Sequence, residues 1–161
     1  MMILLDSKHM HRTIKRMSYQ ILEEAGDSSV CLVGINSRGF ALAGILKESL
    51  DEVMPNPADI YQFREKSDET ILFRNPPSES QILVIVDDVI FSGETMFNCF
   101  QKIPELFLYQ KICVTVLADR GHRKFPILAG IVGLHVPTKL NEHVELLLDG
   151  NKPGQLVLIK R

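Results

Sequence analysis

The sequence predicts an α/β protein in which a mainly parallel central sheet is flanked by helices and followed by a small C-terminal hood. Up to about Leu117, short apolar runs typical of buried strands alternate with segments whose apolar residues recur at helical spacing. Each main run ends in a polar turn. After Leu117 the helical spacing stops, and short apolar runs follow one another between Gly, Pro and Asn residues. Strands that alternate with helices favour a parallel sheet.

Length and composition indicate one globular domain, residues 1–161, with the hood from about residue 119 to residue 161. The net charge of −2 does not indicate a nucleic-acid or membrane partner. No apolar run approaches the roughly 20 residues that span a bilayer, and the N-terminus lacks the pattern of a signal peptide. Cys31, Cys99 and Cys113 lie in apolar segments without disulfide or zinc spacing, so we expect reduced, buried thiols in a cytoplasmic protein.

The first third of the chain predicts a helix, a strand and a second helix. Apolar residues recur on one face over residues 8–25, and Ser7 is the expected N-cap. Residues 30–35 form a continuous apolar strand. Residues 36–39 are predicted as a polar turn, and helical spacing resumes over residues 40–50.

The middle of the chain predicts two further strand regions before the central strand. A Pro-Asn-Pro break precedes a strand over residues 58–63. Residues 64–70 form a charged loop without apolar residues, and residues 71–73 are predicted as a short return strand. A helix follows the central strand, and residues 111–117 form the next strand.

The remaining segments predict edge strands and a small cap. The runs concerned are residues 130–136, 144–148 and 156–159. In the helices, Phe40, Phe97 and Phe100 fall at helical spacing, so we expect them in the core and not as stacking platforms.

Residues 82–86 are the predicted central strand, and a cluster of polar groups follows them. Asp87 and Asp88 come directly after the apolar run, and Ser-Gly-Glu-Thr at residues 92–95 lies where helical spacing begins. Neighbouring side chains of a regular strand point to opposite faces, so the carboxylates converge on one ligand only if the strand ends before them. Carboxylates accept hydrogen bonds from vicinal hydroxyls or hold a hydrated Mg²⁺, and a helix N-terminus binds an anion. These groups together suit a ribose with a 5′-phosphate.

A plainer interpretation stays open for the same residues. Acidic residues after a strand are common, and Ser92 or Thr95 can serve only as a helix cap. Other phosphate motifs are absent, because the chain has no Gly-Lys-Ser/Thr and no Gly-x-Gly-x-x-Gly after a strand. A phosphoacceptor receiver domain carries its acidic pair after the first strand, whereas this pair lies in mid-chain.

Four segments resemble the type I phosphoribosyltransferases. Residues 86–96, Val-Asp-Asp-Val-Ile-Phe-Ser-Gly-Glu-Thr-Met, are similar to that family's motif for phosphoribosyl pyrophosphate (PRPP). Residues 32–39, Leu-Val-Gly-Ile-Asn-Ser-Arg-Gly, are similar to its pyrophosphate loop. Residues 119–127 and 136–139 resemble one subgroup, the bifunctional pyrimidine-operon regulators that are also uracil phosphoribosyltransferases. The likeness runs from about Ile14 to the C-terminus.

The resemblance implies roles for the matching residues. Asp87 and Asp88 are the expected catalytic residues, and they would hold Mg²⁺ indirectly, through ligand or water. The 5′-phosphate site is expected to comprise Phe91, Ser92, Gly93, Glu94 and Thr95. The pyrophosphate site is expected to comprise Asn36, Ser37, Arg38 and Gly39. The peptide in this loop is often cis in the family.

The resemblance also places residues around the base. Arg120 and His122 are expected in the hood over the base, and Arg64 is expected in the flexible loop that closes over PRPP. This loop, residues 64–70, looks shorter than in the pyrimidine regulators. Closure of such a loop excludes water, so a short loop favours a sensor over an efficient catalyst.

The resemblance therefore implies a Mg²⁺-dependent phosphoribosyltransferase that transfers the phosphoribosyl group of PRPP to a nucleobase, with uracil as the first choice, and that works as a homo-oligomer, a dimer or higher. One alternative is a PRPP- or nucleotide-sensing RNA-binding regulator, and another is a purine-salvage enzyme. RNA binding rests on cationic contacts to phosphates. Residues 128–135 offer no Arg or Lys, and the basic residues of the first helix are typical of a solvated face, so RNA is the less favoured partner.

Overall fold

The computed structural model describes residues 1–161 as eight strands, three α-helices and one short 3₁₀ helix. In chain order the elements are β1 (Met2–Leu5), α1 (Ser7–Ala25), β2 (Ser29–Ile35), α2 (Asn36–Asp51), β3 (Asp59–Phe63), β4 (Gln81–Ile90), α3 (Glu94–Lys102), the 3₁₀ helix Leu106–Leu108, β5 (Lys111–Asp119), β6 (Ile131–His135), β7 (Glu142–Asp149) and β8 (Lys152–Lys160).

The central sheet has five strands in the order β3-β2-β4-β5-β6, and all neighbours are parallel. The predicted parallel α/β fold is therefore confirmed. Gly34 of β2 lies beside Val86 of β4, and Ile35 lies beside Phe63 of β3. The carboxyl ends of three neighbouring strands are thus level, and the segments that leave them meet at one edge of the sheet.

Two apolar layers cover the faces of this sheet. A cluster of 24 buried residues joins one face to α1, α2 and the strands β7 and β8, and a cluster of 14 buried residues joins the other face to α3. Side chains of β4 alternate between them: Val84 and Val86 lie in the first cluster, and Leu83 and Ile85 in the second. Burial on both faces explains why the strand reads as a continuous apolar run.

Helix α1 begins one residue earlier than the spacing of its apolar residues predicts. It starts at Ser7, and Asp6 is the N-cap, because the carboxylate of Asp6 accepts the N–H of His9 at 2.9 Å. The prediction that Ser7 caps the helix is wrong. Aspartate and serine are equally good caps, and their order in the chain does not decide between them.

Two predicted loop and strand assignments are also wrong. The polar turn over residues 36–39 is the first turn of α2, which begins directly at Asn36 with a positive φ of 54°. Residues 71–73 form no strand. Ile71 and Phe73 are instead partly buried against the second apolar cluster, with the Phe73 ring 4.7 Å from that of Tyr61. Their apolar character reflects side-chain packing without a ladder of backbone hydrogen bonds.

The C-terminal part of the chain supplies an edge strand and most of a separate small sheet. Ile131–His135 forms an edge strand of the central sheet, in agreement with the predicted edge strands. The separate antiparallel sheet, here called the hood sheet, has the order β1-β8-β7 and takes in Met2–Leu5, which was not predicted as a strand. Four residues are too few for a periodic signal, so β1 escaped prediction. No helix has both the length and the apolarity needed to cross a membrane.

The three cysteines are free and buried, as predicted. Burial raises the pKa of Cys31 to about 12, and it does the same for Cys99. Thiols with such raised pKa values are poor nucleophiles at neutral pH. The three cysteines therefore serve as core packing residues.

Candidate active site

The acidic pair lies within β4 and not after it. The strand continues through Asp87 and Asp88 to Ile90, because its pairing with β5 extends to Asp119. The prediction that the strand ends before the carboxylates is wrong, but the two carboxyl groups still lie close enough for a side-chain hydrogen bond between them, so they can face one ligand. The pairing with β2, however, ends at Val86, so beyond this residue one side of β4 faces the start of α2.

The two carboxyl groups differ strongly in exposure. Asp87 is 8% exposed, and its Oδ1 accepts the backbone N–H of Asp88 at 2.9 Å, whereas Asp88 is half-buried. Burial raises the pKa of Asp87 well above its ordinary value, and the negative charges of Asp88 and Glu65 act in the same direction. The site therefore resists carrying its full negative charge unless a cation or a hydrogen-bond donor enters.

The acidic pair suits Mg²⁺ as part of its set of ligands. Carboxylate oxygens are its preferred protein ligands, and the acidic pair concentrates negative charge at the sheet edge. No three acidic, histidine or cysteine side chains are placed to hold a metal by themselves. An ion at this edge would therefore need oxygens of water or substrate to complete its coordination.

Residues 91–95 form a tight turn that leads from β4 into α3. Gly93 precedes the helix with φ of 85°, a conformation that favours glycine. The carbonyl oxygen of Ser92 accepts the N–H groups of Lys124 and Phe125 at 2.9 and 3.0 Å, and its hydroxyl accepts the N–H of Glu94 at 3.2 Å. The turn is thus fixed to the segment after β5 and presents the N-terminus of α3 at the sheet edge.

A second helix N-terminus, that of α2, lies directly beside the acidic strand. A Cβ atom on Gly39 would come within 2.6 Å of the carbonyl oxygen of Val86 and within 3.3 Å of Cα of Asp87. Only glycine permits this contact. The structure has no cis peptide bond, so the cis peptide that the resemblance suggested in this loop is not found; Asn36 instead carries the positive φ.

The side chain of Arg38 reaches from α2 to the hood sheet. Its Nε donates to the carbonyl oxygen of Leu146 at 2.8 Å, and a terminal nitrogen lies 2.6 Å from the carboxylate of Glu145. Ser37 is exposed and, with Arg64 and Lys152, lines a neighbouring pocket of about 530 Å³. Residues 36–39 therefore contact the hood sheet and border this pocket.

Arg120 and His122 connect the end of β5 to the hood. Arg120 is only 7% exposed; its Nε donates to Oγ1 of Thr138 at 2.9 Å, and its guanidinium lies 4.3 Å from the centre of the Phe91 ring. The Nε2 atom of His122 lies 2.5 Å from the carbonyl oxygen of Thr138. Both side chains are close to the 91–95 turn, and a contact with the base remains a prediction.

The 64–70 loop enters the site through a residue that sequence reasoning missed. Arg64 is exposed, and it donates to Oε1 of Gln62 at 3.1 Å. The next residue, Glu65, bonds to Asn36 through its backbone and to Asn98 through its carboxylate. A glutamate in a charged loop carries no sequence signal for this role, because it is indistinguishable from its solvated neighbours.

Asp119 and Arg123 form a second feature that sequence reasoning missed. Two nitrogens of Arg123 contact the two carboxylate oxygens of Asp119 at 2.9 and 2.8 Å, and one of them also donates to the carbonyl oxygen of Phe91 at 3.1 Å. Burial alone would raise the pKa of Asp119, but hydrogen bonds from Arg123 and Gly121 lower it. The pair ties β5 to the turn that follows β4.

We expect Asp119→Asn to destabilise the fold by about 1–3 kcal/mol at pH 7, because it leaves a largely buried guanidinium without its carboxylate. The native pKa of Asp119 lies below its ordinary value of 3.8. The stability that the Asp119 carboxylate contributes is therefore fully present above pH 3.8, and it is lost as the pH falls through the lower native pKa of Asp119. Denaturant unfolding should show a smaller difference in unfolding free energy between the variant and wild type at pH 3 than at pH 7. The exposed Asp27→Asn is the control, and an equal effect of both substitutions would contradict the assignment.

The aromatic residues of the helices were only partly predicted. Phe100 is half-buried against the second cluster, but Phe40 and Phe97 are 37% and 36% exposed, so their prediction as core residues is wrong. Phe97 stacks on Phe125 with ring centres 4.8 Å apart. This pair covers the outside of the 91–95 turn and helps to hold it in place.

An acidic strand and two helix N-termini thus meet at the carboxyl edge of one parallel sheet, beside a small hood sheet. Solved structures of similar fold include the hypoxanthine phosphoribosyltransferase of Trypanosoma cruzi, with a TM-score of 0.76, 17% identity and coverage of 99% of this chain and 97% of that one. A hypoxanthine-guanine phosphoribosyltransferase from Bacillus anthracis has a TM-score of 0.67, 18% identity and coverage of 86% and 84%.

The phosphoribosyl transferase domain family matches residues 2–145, and the chain belongs to this family. Relatives named "Bifunctional protein PyrR" support the same assignment. The protein from Caldicellulosiruptor saccharolyticus is 33% identical over 98% of this chain and 94% of its own length. The protein from Microcystis aeruginosa is 34% identical over 96% of each chain. The predicted family is confirmed, and family membership supports a pentosyltransferase activity.

Proposed function

We propose that this protein transfers the 5-phosphoribosyl group of PRPP to a nucleobase, with uracil as the first choice, and releases pyrophosphate. One observation carries the proposal: the acidic pair Asp87 and Asp88 lies between the N-termini of α2 and α3 at a single sheet edge. PRPP has three matching parts, namely a pyrophosphate, a ribose with vicinal hydroxyls and a 5′-phosphate.

Each part of the site has a distinct task in this reaction. The N–H groups at the start of α3, with the hydroxyls of Ser92 and Thr95, bind the 5′-phosphate. Residues 36–39 bind the pyrophosphate, and their helix N-terminus favours the negative charge that the leaving group gains. Asp87 and Asp88 accept hydrogen bonds from the ribose hydroxyls. Their negative charge stabilises the positive charge that develops at the anomeric carbon as the bond to pyrophosphate breaks.

Asp87 and Asp88 would hold Mg²⁺ through water or through the ligand. When bound, the ion would supply charge neutralisation for the leaving pyrophosphate. Correct placement of PRPP and base supplies the remainder of the catalysis, because no side chain here needs to form a covalent intermediate.

The choice of a pyrimidine base rests on the resemblance of residues 119–127 and 136–139 to the pyrimidine regulators. The relatives above 30% identity bear the name of a bifunctional protein, while the hypoxanthine enzymes at 17–18% identity share the fold alone. A purine acceptor is therefore the alternative. Arg120 and His122 are the proposed hood contacts near the base, and Arg64 is the proposed contact from the flexible loop.

The second candidate function is a PRPP- or nucleotide-sensing regulator that binds RNA. Its support is the exposed face of α1, where Arg12 and Lys15 lie beside Tyr19, which is 52% exposed. Arg16 belongs to the same face but donates to the carbonyl oxygen of Gly133 at 2.7 Å. Few free cations remain for phosphate contacts, so we rank this function second. We also expect a homo-oligomer and a cytoplasmic location.

A pyrophosphate-release assay with PRPP, Mg²⁺ and a panel of bases tests the proposal. We expect release that depends on uracil and exceeds release with hypoxanthine or guanine by at least about tenfold, which is the lower limit of the discrimination that even one extra or missing methylene group produces in a binding pocket. Release with purines alone would replace uracil by a purine acceptor. No release with any base, together with RNA affinity that falls with salt and responds to nucleotides, would favour the regulator instead.

A further inference from the structure

Glu65 lies where three elements of the site come close together. It follows β3 by two residues, at the carboxyl edge of the central sheet and at the root of the 64–70 loop. Its backbone N–H donates to Oδ1 of Asn36 at 3.0 Å, and its carboxylate accepts a hydrogen bond from Nδ2 of Asn98 at 3.1 Å. Asn36 opens α2 and Asn98 lies on α3, so one residue connects both helices.

The geometry distinguishes Glu65 from the other acidic residues of the loop. Glu65 is half-buried, whereas Asp68 and Glu69 are exposed. Asn36 holds a left-handed backbone conformation, with φ of 54°, and its side chain is engaged by Glu65. A residue in this conformation persists only where its surroundings fix it. Glu65 supplies one of those fixing contacts at the first residue of the pyrophosphate loop.

The connection also passes near the buried acidic residue of β4. The charge of the Glu65 carboxylate acts on Asp87, and the charge of Asp87 acts in turn on Cys99, the residue that follows Asn98 on α3. The line from Asn36 through Glu65 to Asn98 therefore runs beside the acidic pair from α2 to α3. The distance between the proposed pyrophosphate and 5′-phosphate sites depends on the relative position of these two helices.

We propose that Glu65 is a positioning residue that braces the pyrophosphate loop against α3 and so sets the spacing at which PRPP is bound. This inference rests on the proposed function. Glu65 has its effect through Asn36 and Asn98 and does not touch the reacting atoms. The movable part of the 64–70 loop then begins after Glu65, because the root of the loop is fixed at this residue.

Four single variants, and the double variant that combines Glu65→Ala with Asn98→Ala, separate the brace from other effects. Glu65→Ala removes the carboxylate contact, and Asn98→Ala removes its partner. Glu65→Gln keeps an oxygen that accepts from Asn98 while removing the charge. Glu79→Ala is the matched control, since Glu79 is exposed at the other end of β4 and has no contact with the site.

We expect Glu65→Ala and Asn98→Ala each to raise the KM for PRPP by about tenfold, up to the roughly 100-fold that a misplacement of about 1 Å can cost. The KM for the base should stay within about twofold, and the double variant should be no worse than either single one, because both remove one contact. The KM for PRPP of Glu65→Gln and of Glu79→Ala should stay within about threefold of the wild-type value. Calorimetry measures the affinity for inorganic pyrophosphate with Mg²⁺ without turnover, and the variants should rank in the same order by this affinity.

Three results would overturn the brace. Glu65→Gln as defective as Glu65→Ala would assign the effect to charge, and additive losses in the double variant would show two independent roles. Wild-type affinity for pyrophosphate in both alanine variants, each shown to be folded by thermal unfolding, would remove the brace while leaving the proposed function intact. If wild-type protein binds neither PRPP nor pyrophosphate, the proposed function fails, and the brace fails with it.

Discussion

Replacing Asp87 or Asp88 with Asn is expected to lower kcat/KM for PRPP by about 10²–10³-fold for each residue, the loss typical of one electrostatic contact to a transition state. The isosteric amide keeps the shape of each side chain but removes the negative charge that stabilises the developing cation. The double variant should have no measurable turnover. Steady-state kinetics with varied PRPP measure this effect, and wild-type rates in the double variant would refute the catalytic assignment.

The same substitution at Asp87 is expected to stabilise the free protein at neutral pH. The raised native pKa means that the folded state holds a proton which the unfolded state has released above its ordinary value of 3.8. Stability therefore falls as the pH rises from that value through the native pKa, and Asp87→Asn removes this loss. Thermal unfolding should show a higher Tm for the variant at pH 8 and no advantage near pH 4. A variant that is inactive and less stable at pH 8 would indicate a structural defect.

Gly39→Ala is expected to destabilise the fold by about 1–3 kcal/mol and to reduce activity, because its Cβ would overlap the carbonyl oxygen of Val86. The neighbouring atom is backbone of the central strand, and it cannot move aside as a flexible side chain can. Relief requires the start of α2 to shift away from Asp87. Urea unfolding and kinetics with PRPP should show the two losses together.

Gly44→Ala in the same helix is the matched control. No atom lies within 4 Å of the added Cβ, so we expect a gain of about 0.5–1 kcal/mol from the better helix propensity of alanine. Opposite signs at the two positions would show that the close approach at Gly39 is the cause. Equal destabilisation at both would instead indicate a general intolerance of α2 to substitution.

The fold was predictable where periodicity continues over many residues. The central strands are apolar on both faces, and α1 and α3 carry regular apolar faces, so their order gave a parallel α/β sheet. Prediction failed for short segments, in which only a few residues determine whether a strand forms. Residues 71–73 pack their side chains without pairing, and Met2–Leu5 pairs although it is only four residues long. In both places a long-range contact overrides the local pattern.

The candidate site was predictable only as a set of motifs. The acidic pair and the Ser-Gly-Glu-Thr turn stand out because their residue types suit a phosphosugar and follow one strand. The contacts of Glu65 could not be predicted, because they connect segments that are distant in the chain. Arg123 lies only four residues from Asp119, but its hydrogen bond to Phe91 spans 32 residues, and no local pattern predicts it. The extension of β4 through Asp88 was missed because it depends on pairing with β5 as far as Asp119.

The composition of the hood sheet has a consequence for folding of the protein. Its strand Met2–Leu5 pairs with β8, which lies far away along the sequence. The strands of the central sheet all lie between Ser29 and His135, so their pairing does not involve β1 or β8. Closing the long loop between β1 and β8 is entropically costly and comes late in folding. We therefore expect the hood sheet to close after the central sheet has formed.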